Sequence, residues 1–297
     1  MNAAYLHNGQ LISADQYEPE SHGQRLYCID KKCKAPVVFV SKGKANAHFK
    51  TTGRGESKHI SECGFYEPLD LIDSIKKVGE YQEDILDKGM KETVVRLSMN
   101  RIDPDYEPNS IEREKKNSRE EKEVKVKGDN ETPKNISSVK SVVKLLTSYE
   151  PDILASILIN VGGGMKIPLS SVVINQERAH NMLWSDETIP KLGYFVYGKI
   201  QKIVKREKVM YINFYPVNDV NFTIVVFERY WKEFSYKESQ LKDKDVLIYG
   251  HLRKNDFQQK QETEMLIKSK KYLEFFKRKK VIENEPTSVG SEHNDNT

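Results

Sequence analysis

Alternating apolar and polar residues run through the last third of the chain. This period of two is typical of β-strands, because successive side chains of a strand point to opposite faces. Together with the β-branched and aromatic residues of these segments, it predicts five strands, at 194–204, 210–215, 222–227, 245–253 and 264–270. The segment 228–236, between the third and fourth strands, is predicted to be helical.

Each predicted strand has two faces of different composition. The apolar positions are predicted to form a core: Val196, Ile200, Ile212, Phe214, Phe222, Ile224, Val246, Ile248, Leu252 and Ile267. The opposite positions mix rings, cations and polar groups: Tyr197, Lys199, Gln201, Tyr211, Asn213, Tyr215, Thr223, Tyr249, His251 and Arg253. Bases stack on rings and cations neutralise phosphates, so this face is predicted to bind a single-stranded nucleic acid. Alternatively, the tyrosines are ordinary strand formers on a half-buried sheet.

The order of these elements resembles the OB-fold, in which five strands form a barrel with a helix between the third and the fourth. Gly198 lies in the long first strand, where a bend would let one strand serve both sides of the barrel. The resemblance implies an OB-like five-stranded β-barrel at 191–276 that binds nucleic acid.

Helical spacing of apolar residues appears earlier, and it predicts a helix within 67–99. The segment 100–135 is rich in Glu, Lys, Asn and Ser and is predicted to be a flexible linker. The segment 136–190 is predicted to be either a small α/β unit or a helical segment. The last residues, 277–297, are polar and are predicted to be a disordered tail. The predicted fold class is therefore α+β and multidomain.

Charge is distributed unevenly along the chain. The 297 residues carry a formal net charge of only +4, but 191–280 holds 21 Lys and Arg against 11 Asp and Glu. A surplus of cations on one module is the usual feature of a polyanion binder, although a Lys-rich soluble surface would give the same count. No run of 18 apolar residues occurs, which predicts no membrane span, and no apolar leader follows the start, which predicts a cytoplasmic protein.

All three cysteines lie close together near the start of the chain, as Cys28, Cys33 and Cys63. With His59 they form a set of sulfur and nitrogen donors of the kind that Zn²⁺ prefers, with His48 as the alternative ligand or a hydrogen-bonding neighbour. A metal would supply the stability that so short a segment lacks. The alternative is three incidental free cysteines. The odd number of cysteines argues against a disulfide framework.

The region 1–66 resembles the N-terminal module of CoiA-type competence proteins. The resemblance rests on the step from Gly9 to Ala14, the pair Cys28 and Cys33, the Gly43 turn, and the sequence His48-Phe49. It implies a small zinc ribbon in a bacterial protein that handles DNA, in uptake, recombination, mobile elements or phage defence. The spacing between Cys28 and Cys33 is longer than in that family. The acidic nuclease core that follows the ribbon there has no counterpart after Tyr66.

Taken together, the sequence predicts a non-enzymatic protein that uses both a zinc ribbon and a basic OB-like module to bind single-stranded DNA or RNA, with the flexible linker between them raising avidity. A divergent metal-dependent nuclease is the first alternative, and an adaptor that binds a protein partner is the second.

Overall fold

A computed structural model describes residues 1–41, 43, 46–88, 90–107, 135–162, 164–256 and 260–279. Most of the predicted linker, 108–134, and most of the predicted tail, 280–297, lie outside the described residues. The described part is a mixed α+β structure with three sheets.

The first sheet is built from the N-terminal residues. Its strands are β1 (Ala3–Leu6), β2 (Leu11–Ser13), β3 (Leu26–Tyr27), β4 (Pro36–Val40) and β5 (His48–Lys50), with helix α1 (Pro19–His22) after β2. They pair antiparallel in the order β2-β1-β3-β4-β5. Gly9 has a φ of 81°, which the turn between β1 and β2 requires and which glycine adopts without strain.

Helix α2 (Leu71–Asp87) lies within the stretch 67–99 that was predicted to be helical, but Thr93–Leu97 of that stretch form a strand instead. The Asp70 side chain accepts hydrogen bonds from the backbone N–H groups of Ile72 and Asp73, so the helix begins with a regular N-cap. One face is buried by Leu71, Ser74, Ile75, Val78, Tyr81, Gln82 and Ile85. This face packs on helices α3 (Val139–Ser148) and α4 (Pro151–Ala155).

The second sheet has the order β7-β6-β8-β9. Its strands are β6 (Thr93–Leu97), β7 (Asn135–Ile136), β8 (Ile157–Gly162) and β9 (Met165–Pro168). Three further elements follow it: α5 (Leu169–Val172), β10 (Val173–Asn175) and α6 (Gln176–Trp184). Of the two alternatives for 136–190, the structure therefore shows a small α/β arrangement.

The third sheet occupies the C-terminal region. Its strands are β11 (Tyr194–Lys205), β12 (Val209–Phe214), β13 (Phe222–Phe227), β14 (Asp245–Gly250), β15 (Leu252–Asn255), β16 (Glu262–Leu266) and β17 (Leu273–Phe275), and β10 joins them by pairing parallel with β11. Each predicted strand segment contains a strand. The fourth segment is interrupted at His251, and β17 was not predicted. The predicted helix at 228–236 is wrong, because only a 3-10 turn forms at Glu228–Tyr230 and the short helix α7 (Glu238–Leu241) follows later.

The pairing of these strands follows a definite path. Strands β11, β12 and β13 pair antiparallel in sequence, and β13 then pairs parallel with β16. Strand β16 pairs with β15, and β14 pairs with β11. Only His251 separates β14 from β15 along the chain.

The predicted core of this region is confirmed for nine of its ten residues, each of which is at most 2% exposed, whereas Leu252 is only half-buried. Buried apolar residues from all three sheets form one connected cluster. Helix α3 contacts both β14 and β17, which joins the middle of the chain to the C-terminal strands. No helix among the described residues is long and apolar enough to cross a bilayer.

Gly198 provides a test of how tightly the third sheet is packed. A Cβ atom added there would lie 2.2 Å from Cδ2 of Phe214, whereas one added at the exposed helical Gly79 would meet nothing within 4 Å. We predict that Gly198→Ala lowers the free energy of unfolding by about 1–3 kcal/mol, because the buried ring must move. The control Gly79→Ala should leave it unchanged or raise it by up to about 1 kcal/mol. Urea denaturation measures both, and an unaffected Gly198→Ala variant would contradict this packing.

Candidate metal centre

Four side chains converge beside the first sheet. Cys28, Cys33, His59 and Cys63 each offer one ligand atom, and all four atoms lie within 4.8 Å of one another. Among the described residues no other group of three or more His, Cys, Asp or Glu side chains could hold a metal ion. The structure therefore brings together the four ligands that were predicted from the sequence.

Three of the distances within this cluster match the edges of a metal tetrahedron. Sγ of Cys28 lies 3.7 Å from Sγ of Cys63, and Nδ1 of His59 lies 3.5 Å from Sγ of Cys33 and 3.4 Å from Sγ of Cys63. A tetrahedral ion with metal–sulfur bonds of about 2.3 Å and a metal–nitrogen bond of about 2.0 Å would place two sulfurs about 3.8 Å apart, and a sulfur and a nitrogen about 3.5 Å apart. The four residues therefore lie close enough to hold such an ion.

Backbone turns fix the positions of the thiol groups. The N–H of Asp30 donates to Sγ of Cys28 at 3.4 Å, and the N–H of Phe65 donates to Sγ of Cys63 at 3.5 Å. The N–H of Cys33 donates to the carbonyl oxygen of Asp30 at 3.0 Å and closes the turn between Cys28 and Cys33. Hydrogen bonds of this kind favour the thiolate form, which is the form that binds metals.

His48 is not part of the cluster. It begins strand β5, and its Nδ1 atom lies 2.9 Å from the carbonyl oxygen of Asn46. The pairing of Val40 with His48 holds the residue in the sheet. The alternative ligand considered from the sequence is therefore not among the four residues that meet.

The pKa values of the three thiols shift in different directions. The hydrogen bond between the two buried sulfurs is the main reason that the pKa of Cys63 falls to about 5, and the same hydrogen bond, together with burial, raises the pKa of Cys28. Burial also raises the pKa of Cys33. Because a metal ion binds thiolates, its binding at this cluster would release protons from Cys28 and Cys33.

A buried carboxylate connects the turn between Cys28 and Cys33 to helix α2. Asp30 is only 2% exposed, and its Oδ2 accepts hydrogen bonds from Tyr81 Oη at 2.7 Å and from Lys77 Nζ at 2.9 Å. Burial alone would raise the pKa of Asp30, but the bonds from Lys77 and Tyr81 lower it, so the group is a carboxylate. The metal-binding turn and the helix are thus joined by a charged hydrogen-bond network.

Aromatic packing joins the loop that carries His59 and Cys63 to helix α2. The ring of Phe65 stacks on that of Tyr81 with centroids 5.8 Å apart, and it also lies 5.9 Å from the ring of His59. Gly64 permits this approach, because a Cβ there would lie 2.7 Å from Tyr81 Oη. The sequence prediction missed Asp30, Lys77 and Tyr81. The spacing of Lys77 and Tyr81, four residues apart on a predicted helix, was the available signal.

The residues predicted to bind nucleic acid line more than one groove. Tyr211 and Asn213 line a groove of about 560 Å³ on the third sheet. Tyr249, His251 and Arg253 line a separate cleft, where the ring of Tyr249 packs 4.7 Å from that of Phe195.

Three further predicted residues lie outside that groove. Tyr197 is half-buried in a third cleft, against helix α6. Tyr215 is exposed, with its Oη donating to Asp243 at 2.6 Å and Nζ of Lys199 lying 5.5 Å from its ring centroid. The predicted face is therefore divided among at least three places, because other parts of the chain cover it.

A β-bulge explains why Gln201 is absent from the groove on the third sheet. The pairing of β11 with β12 shifts register between Ile200 and Lys202, so the alternation of faces changes there. Lys202 and Val204 line the groove instead, together with Arg206. Strict alternation along β11 could not predict this change.

Comparison with known proteins gives no family assignment. A scan against models of protein families and a search of curated proteins each found no match to this chain. The resemblance of the first 66 residues to CoiA-type proteins therefore stays a prediction.

The role of Asp30 can be tested by removing its charge. We predict that Asp30→Asn lowers the free energy of unfolding by about 3 kcal/mol, because the largely buried Lys77 ammonium loses its buried partner. The control Glu80→Gln removes the exposed partner of the same lysine and should cost less than about 1 kcal/mol. Denaturant unfolding at equal metal occupancy measures both. Equal losses for the two variants would show that the buried network is not important for stability.

Proposed function

We propose that this chain is a zinc-stabilised, non-enzymatic protein that binds single-stranded DNA or RNA. Zinc is supported by the donor set, because three thiolates and one imidazole in a tetrahedral arrangement suit Zn²⁺ better than hard cations such as Mg²⁺ or Ca²⁺. The proposal assigns the ion to Cys28, Cys33, His59 and Cys63.

The proposed role of the zinc is structural. Four protein ligands complete a tetrahedron and leave no position for a water or a substrate, whereas catalytic zinc sites keep one position open. Two of the ligands, Cys28 and Cys63, are buried. The ion would fix the turn at Cys28–Cys33 against the loop at His59–Cys63 and, through Asp30, against helix α2.

Nucleic-acid binding is supported above all by the path of strand pairing in the C-terminal region. The OB-fold has five strands in which the first pairs with the second and the fourth, the third is parallel to the fifth, and the fourth pairs with the fifth. Strands β11, β12, β13, β14 with β15, and β16 pair in this order and with this parallel contact. We infer an OB-like barrel, a fold that commonly binds single strands.

The groove on the third sheet is the proposed binding surface of this barrel. It offers the Tyr211 ring for stacking, the Lys202 and Arg206 side chains for phosphates, and polar contacts from Asn213 and Thr223. Glu262 and Glu264 line the same groove. Cations do not outnumber carboxylates here, so the proposed affinity of the groove comes from stacking and hydrogen bonds as well as from charge.

The nuclease alternative receives no support from the second sheet. A metal-dependent nuclease core needs carboxylates on neighbouring strands to hold its ions. Strands β6, β8 and β9 have the sequences TVVRL, ILINVG and MKIP, which contain no Asp or Glu. The proposal is therefore a binding protein.

Metal analysis tests the zinc site. We predict about one zinc per chain in the purified protein by mass spectrometry of the metal content, and loss of that zinc in Cys63→Ser, because one thiolate ligand is removed. The control His48→Ala should retain the metal, since His48 lies outside the cluster. A metal-free wild-type protein, or loss of zinc only in His48→Ala, would contradict the assignment.

Oligonucleotide binding tests the proposed groove. Fluorescence anisotropy with labelled single-stranded DNA and RNA, from 50 to 200 mM salt and with or without Mg²⁺, should show affinity that falls as salt rises. Arg206→Gln should reduce the slope of log K against log salt by about 0.7, the value for one lost phosphate contact. The exposed Lys232, which lies outside the groove, provides the control Lys232→Gln with an unchanged slope.

Two results would contradict the proposal. Absence of salt-dependent binding to any oligonucleotide would favour a protein-binding adaptor. Shortened oligonucleotides that appear only with Mg²⁺ would favour a nuclease.

A further inference from the structure

A second basic and aromatic cleft lies against the turn between Cys28 and Cys33. It encloses about 680 Å³ between the first sheet and the end of helix α2. Cys28 lines its wall, so the cleft adjoins the metal centre. None of its lining residues is among those that the sequence predicted to bind nucleic acid.

Two rings form one side of this cleft. Tyr5 on β1 and Tyr27 on β3 are directly opposite each other in the antiparallel pair, so their side chains lie on the same face of the sheet. Both line the cleft and both are half-buried. The Tyr5 hydroxyl bonds to Asp84 of helix α2, which fixes that ring at the base of the cleft. Nζ of Lys88 lies 4.6 Å from the centroid of the Tyr5 ring, so the pair provides a platform with a cation beside it, on which a planar group can stack against Tyr27.

Cations surround these rings. Lys31, Lys34 and Lys88 line the cleft with the single carboxylate of Asp84. Nζ of Lys31 lies 2.7 Å from Oδ2 of Asp84, and Nζ of Lys88 lies 3.8 Å from its Oδ1. Two of these ammonium groups thus share one carboxylate, and with Lys34 the lining holds three lysines against one carboxylate, which leaves positive charge for a phosphate. The groove on the third sheet, by contrast, has as many carboxylates as cations.

We propose that this cleft binds a nucleotide of a single-stranded nucleic acid, with the base on the Tyr5 and Tyr27 platform and the phosphate at Lys31 and Lys34. An acidic peptide would use the lysines but would have no planar group for the paired rings. A base joined to a phosphate satisfies both features, because stacking and charge neutralisation are the two general contacts that single strands make.

The metal centre organises this cleft. Lys31 and Lys34 lie within and directly after the turn that runs from Cys28 to Cys33, so zinc would fix the backbone that carries them. Asp30, in the same turn, anchors it to the helix that carries Asp84 and Lys88. The zinc ribbon is thereby itself a nucleic-acid contact. The inference rests on the proposed function, to which it adds a second binding site.

Removing the positive charge of one lysine in the cleft tests the phosphate contact in the full-length protein. Lys34→Gln should reduce the slope of log K against log salt by about 0.7 for a labelled single-stranded oligonucleotide, and should weaken binding severalfold. Lys50→Gln removes an equally exposed lysine of the same sheet that does not line the cleft, and it should leave the slope unchanged. Zinc content, measured in parallel, should be equal in both variants.

The ring contact needs a separate pair of variants. Tyr27→Leu should weaken binding about fivefold or more, because a stacked base is lost, whereas Tyr27→Phe keeps the ring and should bind like the wild type. Equal affinities of these two variants, both with full zinc content, would overturn the stacking contact.

The outcomes separate this inference from the proposed function. Wild-type protein that binds no oligonucleotide refutes both. Binding that depends on Arg206 but is unaffected by Lys34→Gln and Tyr27→Leu refutes only the proposal that the cleft binds a nucleotide. A salt slope that falls in Lys34→Gln and not in Lys50→Gln, with the ring dependence at Tyr27, supports it. Displacement of the oligonucleotide by an acidic peptide as readily as by an unlabelled oligonucleotide would overturn the choice of ligand.

Discussion

Three thiol groups and one imidazole converge on a volume the size of a metal ion. This convergence determines the structure of the first third of the chain. This region has short strands of two to five residues. Such strands contribute little stability alone, whereas a structural zinc ion contributes about 10–16 kcal/mol of apparent binding free energy at neutral pH. That exceeds the net stability of many whole domains, so the proposed ion and the fold of this region would form one thermodynamic unit.

The influence of the metal extends beyond its four ligands. Asp30 lies between two of them in sequence, and it accepts hydrogen bonds from Lys77 and Tyr81 of helix α2. The same helix contacts α3, and α3 contacts β14 and β17 of the third sheet. A continuous set of packed elements therefore leads from the metal centre to the C-terminal strands, so the two proposed binding surfaces are positioned by one connected core rather than by separate domains alone.

The metal ligands were predictable from the sequence because cysteine is rare here and its clustering has few explanations. The core of the third sheet was also predictable, since alternation follows directly from strand geometry. The arrangement of the predicted binding face was not predictable from the sequence. The bulge near Ile200 changed the order of faces, and packing of the middle region half-buried Tyr197 and Tyr249 in separate clefts. Alternation shows that a position points away from the core, but not whether another element covers it.

The same limitation concealed the cleft beside the metal. Tyr5, Tyr27 and Lys88 are far apart in sequence, and only the pairing of β1 with β3 and the direction of α2 bring them together.

X-ray absorption at the zinc edge of the purified full-length protein tests the central claim most directly. The account predicts a first shell of three sulfurs at about 2.3 Å and one nitrogen at about 2.0 Å. A shell dominated by oxygen and nitrogen, or the absence of zinc, would contradict it.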